Sequence, residues 1–95
     1  MHTLVFICAF GRNKETYFRI FETIPKNWQL FTLSEEKIVP DGNTEHIIEN
    51  IENFFEDHHI TSCTLAGHSM GGLFAQLYAQ KHPKSIQQHI LIDSA

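Results

Sequence analysis

The stretch of this sequence whose residue types and spacing could do covalent chemistry is Gly67-His68-Ser69-Met70-Gly71. It reads G-x-S-x-G, a serine flanked by glycine two residues away on each side. A serine at a sharp strand-to-helix corner has its hydroxyl lifted clear of the sheet, where it can attack a carbonyl carbon. The glycines answer a steric need, because a side chain at Gly67 or Gly71 would collide with the incoming strand or the outgoing helix. The backbone N–H of Met70, at the helix N-terminus, would aim at the same point and stabilise the oxyanion that the attack creates. The bland alternative is a glycine-rich turn with an ordinary capping serine. Context favours the nucleophile: a β-type run over 61–66 precedes the motif and an amphipathic run over 70–81 follows it.

Such a serine needs a base beside it. The chain has seven histidines, and none is spaced as a zinc ligand set such as H-E-x-x-H. His58 and His59 end one helical run and His82 another, where a cation suits the helix dipole. His46 falls on a solvated helix face, His89 starts a strand, and His2 lies near a terminus. His68 sits within the motif but points away from the serine hydroxyl, which suits packing or hydrogen bonding. No metal and no cofactor is expected.

The elements that must hold the corner alternate along the chain. Residues 3–9 form a continuous apolar run, as expected for a parallel strand covered on both faces. Phe10-Gly11-Arg12-Asn13 is a turn. Residues 14–23 place Tyr17, Ile20 and Phe21, with Ile24 beyond, at helical spacing, and Pro25 closes the segment. A second strand over 28–33 leads into a polar loop over 34–43. Residues 44–57 form the clearest helix, with Ile47, Ile48, Ile51, Phe54 and Phe55 in one stripe and Glu45, Glu49, Glu52 and Glu56 on the wetter side. After the strand at 61–66 and the corner, Leu73, Phe74, Leu77 and Tyr78 are expected to pack inward, while Ala75 and Ala79 allow close approach to the sheet. Lys81-His82-Pro83 stops that helix, and 88–93 reads as a fourth strand. The alternation predicts an α/β three-layer sandwich: about four parallel strands in the order 2-1-3-4, with helices on both faces.

With Gly67-His68-Ser69-Met70-Gly71-Gly72 at the corner, the sequence resembles the α/β-hydrolase superfamily, where that wording of the elbow is common. The resemblance covers nearly the whole chain and implies one partial domain, 1–95, equivalent to the superfamily's third to sixth strands. It implies a serine hydrolase acting on an ester, thioester or amide through an acyl-serine. Ser69 would be the nucleophile, Met70 N–H one oxyanion donor, and Gly67, Gly71 and Gly72 the structural residues of the elbow. A serine at this position argues against the dehalogenase and epoxide-hydrolase branches, which use aspartate.

The family often carries His-Gly and then an aromatic or small residue after the first of these strands. Here the run is Cys8-Ala9-Phe10-Gly11, which puts Phe10 N–H at the second donor position; the alternative is that Phe10 merely caps the core. Ala9 tolerates fewer backbone angles than the family's glycine. The family's chain order is Ser, acid, His. Asp93 stands at the end of the fourth strand, where some branches place the acid, although most place it after the next strand and an aspartate at a strand end is commonly a turn or cap residue. No histidine follows it, so this chain is expected to be incomplete as an enzyme. Alternatives are an inert fragment or pseudo-hydrolase serving as a binding module, and an acyltransferase on the same scaffold.

The 95 residues are 42% hydrophobic and 19% charged, with a net charge of −4. That suits one small domain and gives no reason to expect nucleic acid as a partner. No apolar run approaches the roughly 20 residues of a transmembrane helix, and residues 3–10 lack the flanks of a signal peptide. Cys8 and Cys63 fall in strands and read as reduced core thiols, which suggests a cytoplasmic setting. The expected partner is a small-molecule acyl substrate. An open sheet edge at Ile90, Leu91 and Ile92 points to self-association.

Overall fold

A computed structural model describes residues 2–92. Its strands are β1 (Thr3–Ile7), β2 (Gln29–Leu33), β3 (Cys63–His68) and β4 (Ile86–Ile92). The helices are α1 (Phe18–Phe21), α2 (Glu35–Ile38), α3 (Ile47–Asp57) and α4 (Met70–Lys81), with 3-10 turns at Lys14–Tyr17, Thr44–His46 and Pro83–Ser85. All pairings are parallel and the spatial order is β2-β1-β3-β4, as the alternation predicts. From β1 the chain winds first toward β2 and then, by way of α3, to the other side at β3. The carboxyl ends of β1 and β3 therefore flank a topological switch point, the place where open α/β sheets bind ligands.

Side-chain alternation along the strands divides the core between two faces. Val5, Ile7, Leu33, Cys63 and Leu65 pack against Ile38 of α2, Ile47, Ile51 and Phe55 of α3, and Ala75 and Tyr78 of α4. Leu4, Phe6, Cys8 and Ala66 face the other way, under Tyr17, Phe21, Ile24 and Trp28. Cys8 and Cys63 are thus both free and buried on opposite sides of the sheet. Burial pushes their thiols up to about 11 and about 12, although Lys37 pulls slightly against this at Cys8.

Several local expectations are corrected. The helix expected over 14–23 is a 3-10 turn followed by one α-turn. Asn13 caps its start by accepting from Glu15 N–H, and Tyr17, with φ −108° and ψ 16°, breaks the helical path. Ile20, expected inward, is exposed. The polar loop over 34–43 contains α2, whose Ile38 is fully buried. Asn50 of α3 donates its side-chain amide to Ile38 O at 2.8 Å, which holds that turn in place. Two apolar residues, Ile38 and Val39, are too few to show a period. β3 runs two residues later than expected, through Gly67 and His68, and β4 begins at Ile86.

On α4, Leu73 and Leu77 are 37% and 43% exposed rather than packed inward. The sheet-facing side is Gly71, Gly72, Ala75 and Tyr78. Small residues let the helix axis come close to the strands, and the two leucines then turn outward.

Glu52, expected on a solvated face, instead clips α3 to the end of α4. Its Oε2 accepts from Lys81 Nζ at 3.0 Å and from His82 Nε2 at 2.6 Å. The Lys81 bond, and then the His82 bond, hold its carboxyl below the ordinary 4.5. A carboxyl lowered on folding stabilises the fold above its unfolded value, and that stability is lost as pH falls through the folded value. Thermal unfolding is therefore expected to show a stability loss beginning below about pH 4.5 that is smaller in Glu52→Gln. Parallel acid profiles for the two proteins would refute the clip.

Candidate active site

β1 and β3 end together, with Ile7 paired to Gly67. The loop after β1 and the corner after β3 therefore leave the sheet side by side. Ser69 lies at the N-cap of α4 with φ 57° and ψ −121°. That conformation is unusual for a residue with a side chain. Its hydroxyl makes no capping bond, unlike an ordinary N-cap serine. The backbone around it is fixed, because Ser69 N–H donates to Ile92 O at 3.1 Å and Ser69 O accepts from Gly72 N–H and Leu73 N–H.

The flanking glycines are there for space. A Cβ on Gly67 would lie 2.5 Å from Gly71 O, inside the first turn of α4. A Cβ on Gly71 would run into the carbonyl of Ile7 and lie 2.6 Å from that of Cys8. Gly71 thus meets the end of β1 rather than its own incoming strand, a refinement of the steric reading. The closeness of Gly71 to the carbonyls of Ile7 and Cys8 brings the Cys8–Phe10 segment against the helix N-terminus.

That segment accounts for its backbone donors one by one. Cys8 N–H donates to Leu33 O, Ala9 N–H to Tyr17 Oη, Gly11 N–H to Glu35 Oε1, and Arg12 N–H to Ala9 O. The Ala9–Arg12 turn is closed with Gly11 at φ 79°, a value suited to glycine at the third position of a type II turn. Within Cys8–Arg12, Phe10 N–H alone has no hydrogen-bond partner among the described residues. The Phe10 ring meets that of Phe74 on α4, centroids 5.5 Å apart, so the loop leans on the helix that Ser69 caps. Met70 opens α4, and its N–H, the first of the helix, has no preceding turn to supply an acceptor.

The structure accordingly brings Ser69, Met70, Gly67, Gly71, Gly72 and the Phe10 loop to one end of the sheet. Asp93 lies outside the described residues. His68 Nδ1 is hydrogen-bonded to Tyr17 Oη at 2.8 Å. His2 bonds Thr64 Oγ1 and packs on Trp28, and His82 is held by Glu52. His89 lies inside β4 with Nε2 buried and without a partner among the described residues; burial lowers its pKa. Among the described residues, no three His, Cys, Asp or Glu side chains gather to hold a metal. None of their helices is long and apolar enough to cross a membrane.

Sequence reasoning missed the role of Tyr17 here, treating it only as an apolar helix position. The available signal was its hydroxyl, a polar tip on a residue assigned to the core.

This chain belongs to the alpha/beta hydrolase fold family, whose model matches residues 6–95. It is similar to the 1-acylglycerol-3-phosphate O-acyltransferase of Arabidopsis thaliana, 29% identical over 104 aligned residues, covering 98% of this chain and 25% of that protein. The (lyso)-N-acylphosphatidylethanolamine lipase of Bos taurus is 37% identical over 54 residues, 57% of this chain and 16% of the lipase. Among solved structures, a bacterial membrane phospholipase A described as a virulence factor superposes with a TM-score of 0.84 at 28% identity, covering 99% of this chain and 33% of that one. The chain thus spans a quarter or less of these curated relatives and a third of the solved one.

Proposed function

We propose that this chain carries the nucleophile half of a serine acyl-transfer site, acting on the acyl ester of a glycerophospholipid. The observation that carries the reading is the Ser69 backbone: φ 57° at the N-cap of α4, between two glycines that admit no Cβ, with a hydroxyl that does not cap the helix. Ser69 Oγ attacks the ester carbonyl carbon and its proton passes to a base. The carbonyl oxygen becomes an oxyanion held by Phe10 N–H and Met70 N–H, and its collapse expels the alcohol and leaves an acyl-serine. Water then releases the acid, or a second alcohol takes the acyl group.

His68 is a poor candidate for the base: its Nδ1 bonds Tyr17, and among the described residues no hydrogen bond joins its ring to the Ser69 hydroxyl. In the family's order the base is a histidine that follows the acid, for which Asp93 is the candidate. Hydrolase and acyltransferase differ only in the final acceptor. The lipid ester is suggested by the names of the three relatives above, all of which include a phospholipid or lysophospholipid.

The test is fluorophosphonate labelling of the protein, with peptide mass analysis, beside release of fatty acid from mono- and diacyl glycerophospholipids. One label per chain on Ser69 is expected, with both label and fatty-acid release lost in Ser69→Ala. A folded wild-type protein that takes no label, or a Ser69→Ala variant that labels equally, overturns the reading.

A further inference from the structure

We propose that Tyr17 is a positioning residue for this site, its hydroxyl tying the loop that carries Phe10 to the corner that carries Ser69. The inference rests on the acyl-transfer reading above and adds to it a residue remote from the reacting atoms. Tyr17 is 5% exposed at the end of the Lys14–Tyr17 turn, and its ring packs between Phe6 and Phe21, centroids 4.7 and 6.0 Å away. Its Oη accepts from Ala9 N–H at 2.9 Å and lies 2.8 Å from His68 Nδ1. Ala9 immediately precedes Phe10, and His68 immediately precedes Ser69. One buried oxygen therefore holds the neighbour of each of the two groups whose separation sets the oxyanion geometry.

Donor counting fixes the direction of the second bond. A backbone N–H can only donate, so Oη accepts from Ala9 and its own proton is free for His68. Were Nδ1 instead protonated and donating, the phenolic proton would be left buried without an acceptor. Burial raises the Tyr17 pKa, with the Ala9 bond opposing it, so the phenol keeps its proton. Tyr17 O–H thus donates to a bare Nδ1, and the His68 ring carries its proton on Nε2.

The arrangement also bears on the departure from His-Gly in the loop. Cys8 and Ala9 stand where the family often has histidine and glycine, yet the Ala9 N–H is held from the side by a hydroxyl contributed by the next element. Tyr17 can do this because the chain turns through a 3-10 segment with Tyr17 at its inner end. An α-helix continuing through 14–23 would present a different face.

The test is Tyr17→Phe, which removes only the hydroxyl. Hydrolysis of a p-nitrophenyl acyl ester is expected to show kcat lowered about 10- to 100-fold with KM within about twofold. Deleting one oxyanion donor costs about 10²–10³, and a misplaced donor costs less than a deleted one. Fluorophosphonate labelling should slow by a similar factor. Wild-type kcat in Tyr17→Phe, while Ser69→Ala is inactive, overturns the positioning role and leaves the serine reading standing. Activity that survives Ser69→Ala overturns both. If Tyr17→Phe does not fold, nitrogen-15 NMR of the unmodified protein reads the tie itself: an Ala9 amide and a His68 Nδ1 both hydrogen-bonded to Tyr17 Oη support the proposal, and either one free of that bond overturns it.

Discussion

Ser69→Gly is expected to abolish acyl transfer and at the same time to make the protein more stable. The loss follows from removing the proposed nucleophile, a change that in serine hydrolases lowers kcat by up to about 10⁶. The gain follows from the backbone, since Ser69 holds φ 57° and ψ −121°. A side chain held in so sparsely populated a region costs about 1–3 kcal/mol, and glycine visits it freely. Glycine brings back about 0.5–1 kcal/mol through the greater freedom of the unfolded chain. A net gain of about 1 kcal/mol remains, or about 4–8 °C in Tm for a domain of this size. Ser69→Ala is the control, because it removes the same hydroxyl while keeping a Cβ. It should be as inactive as the glycine variant without sharing its stability. Equal melting temperatures for the two variants would show that the corner stores no strain.

Gly71→Ala is expected to cost at least about 3 kcal/mol, toward the severe end for overpacking. The added Cβ would meet main-chain atoms, the carbonyls of Ile7 and Cys8, and these cannot swing aside as a side chain can. Relief requires α4 to lift from the end of β1. That movement would pull Phe74 from Phe10 and open the space between Phe10 N–H and Met70 N–H, so residual activity should fall along with stability. Gly42→Ala is the comparison. Gly42 has φ 74° but nothing within 4 Å of a built Cβ, so only backbone strain of about 1 kcal/mol or more applies. Urea unfolding of both variants checks the difference, and comparable midpoints would mean that the helix can retreat at little cost.

Strand order and parallel pairing were legible because the apolar runs around Val5 and Leu65 are separated by helical stripes, and right-handed crossovers leave few topologies. The corner was legible because G-x-S-x-G states its steric demands in residue types. Other features depend on partners distant in the sequence. The inward face of α4 could not be read from hydrophobicity, since the residues closest to the sheet are glycines and an alanine, while Leu73 and Leu77 face out. Ile38 is buried because Asn50 and α3 hold its turn, a fact absent from its polar surroundings. Tyr17 illustrates the same limit. Its spacing marks an apolar position, and only the fold reveals that its oxygen lies between Ala9 and His68.

The uncommitted donors at Phe10 and Met70 are main-chain hydrogens, and this changes what a saturation-mutagenesis map of the protein would show. Every amino acid except proline brings the same N–H to positions 10 and 70, so most substitutions there would score as mild even though the proposed chemistry depends on both. The map would instead mark Gly67, Gly71 and Tyr17, residues that touch no substrate. To probe the donors themselves requires editing the chain rather than its side chains: replacing the Ala9–Phe10 or Ser69–Met70 amide by an ester, through ribosomal incorporation of an α-hydroxy acid, deletes one N–H and leaves both side chains in place.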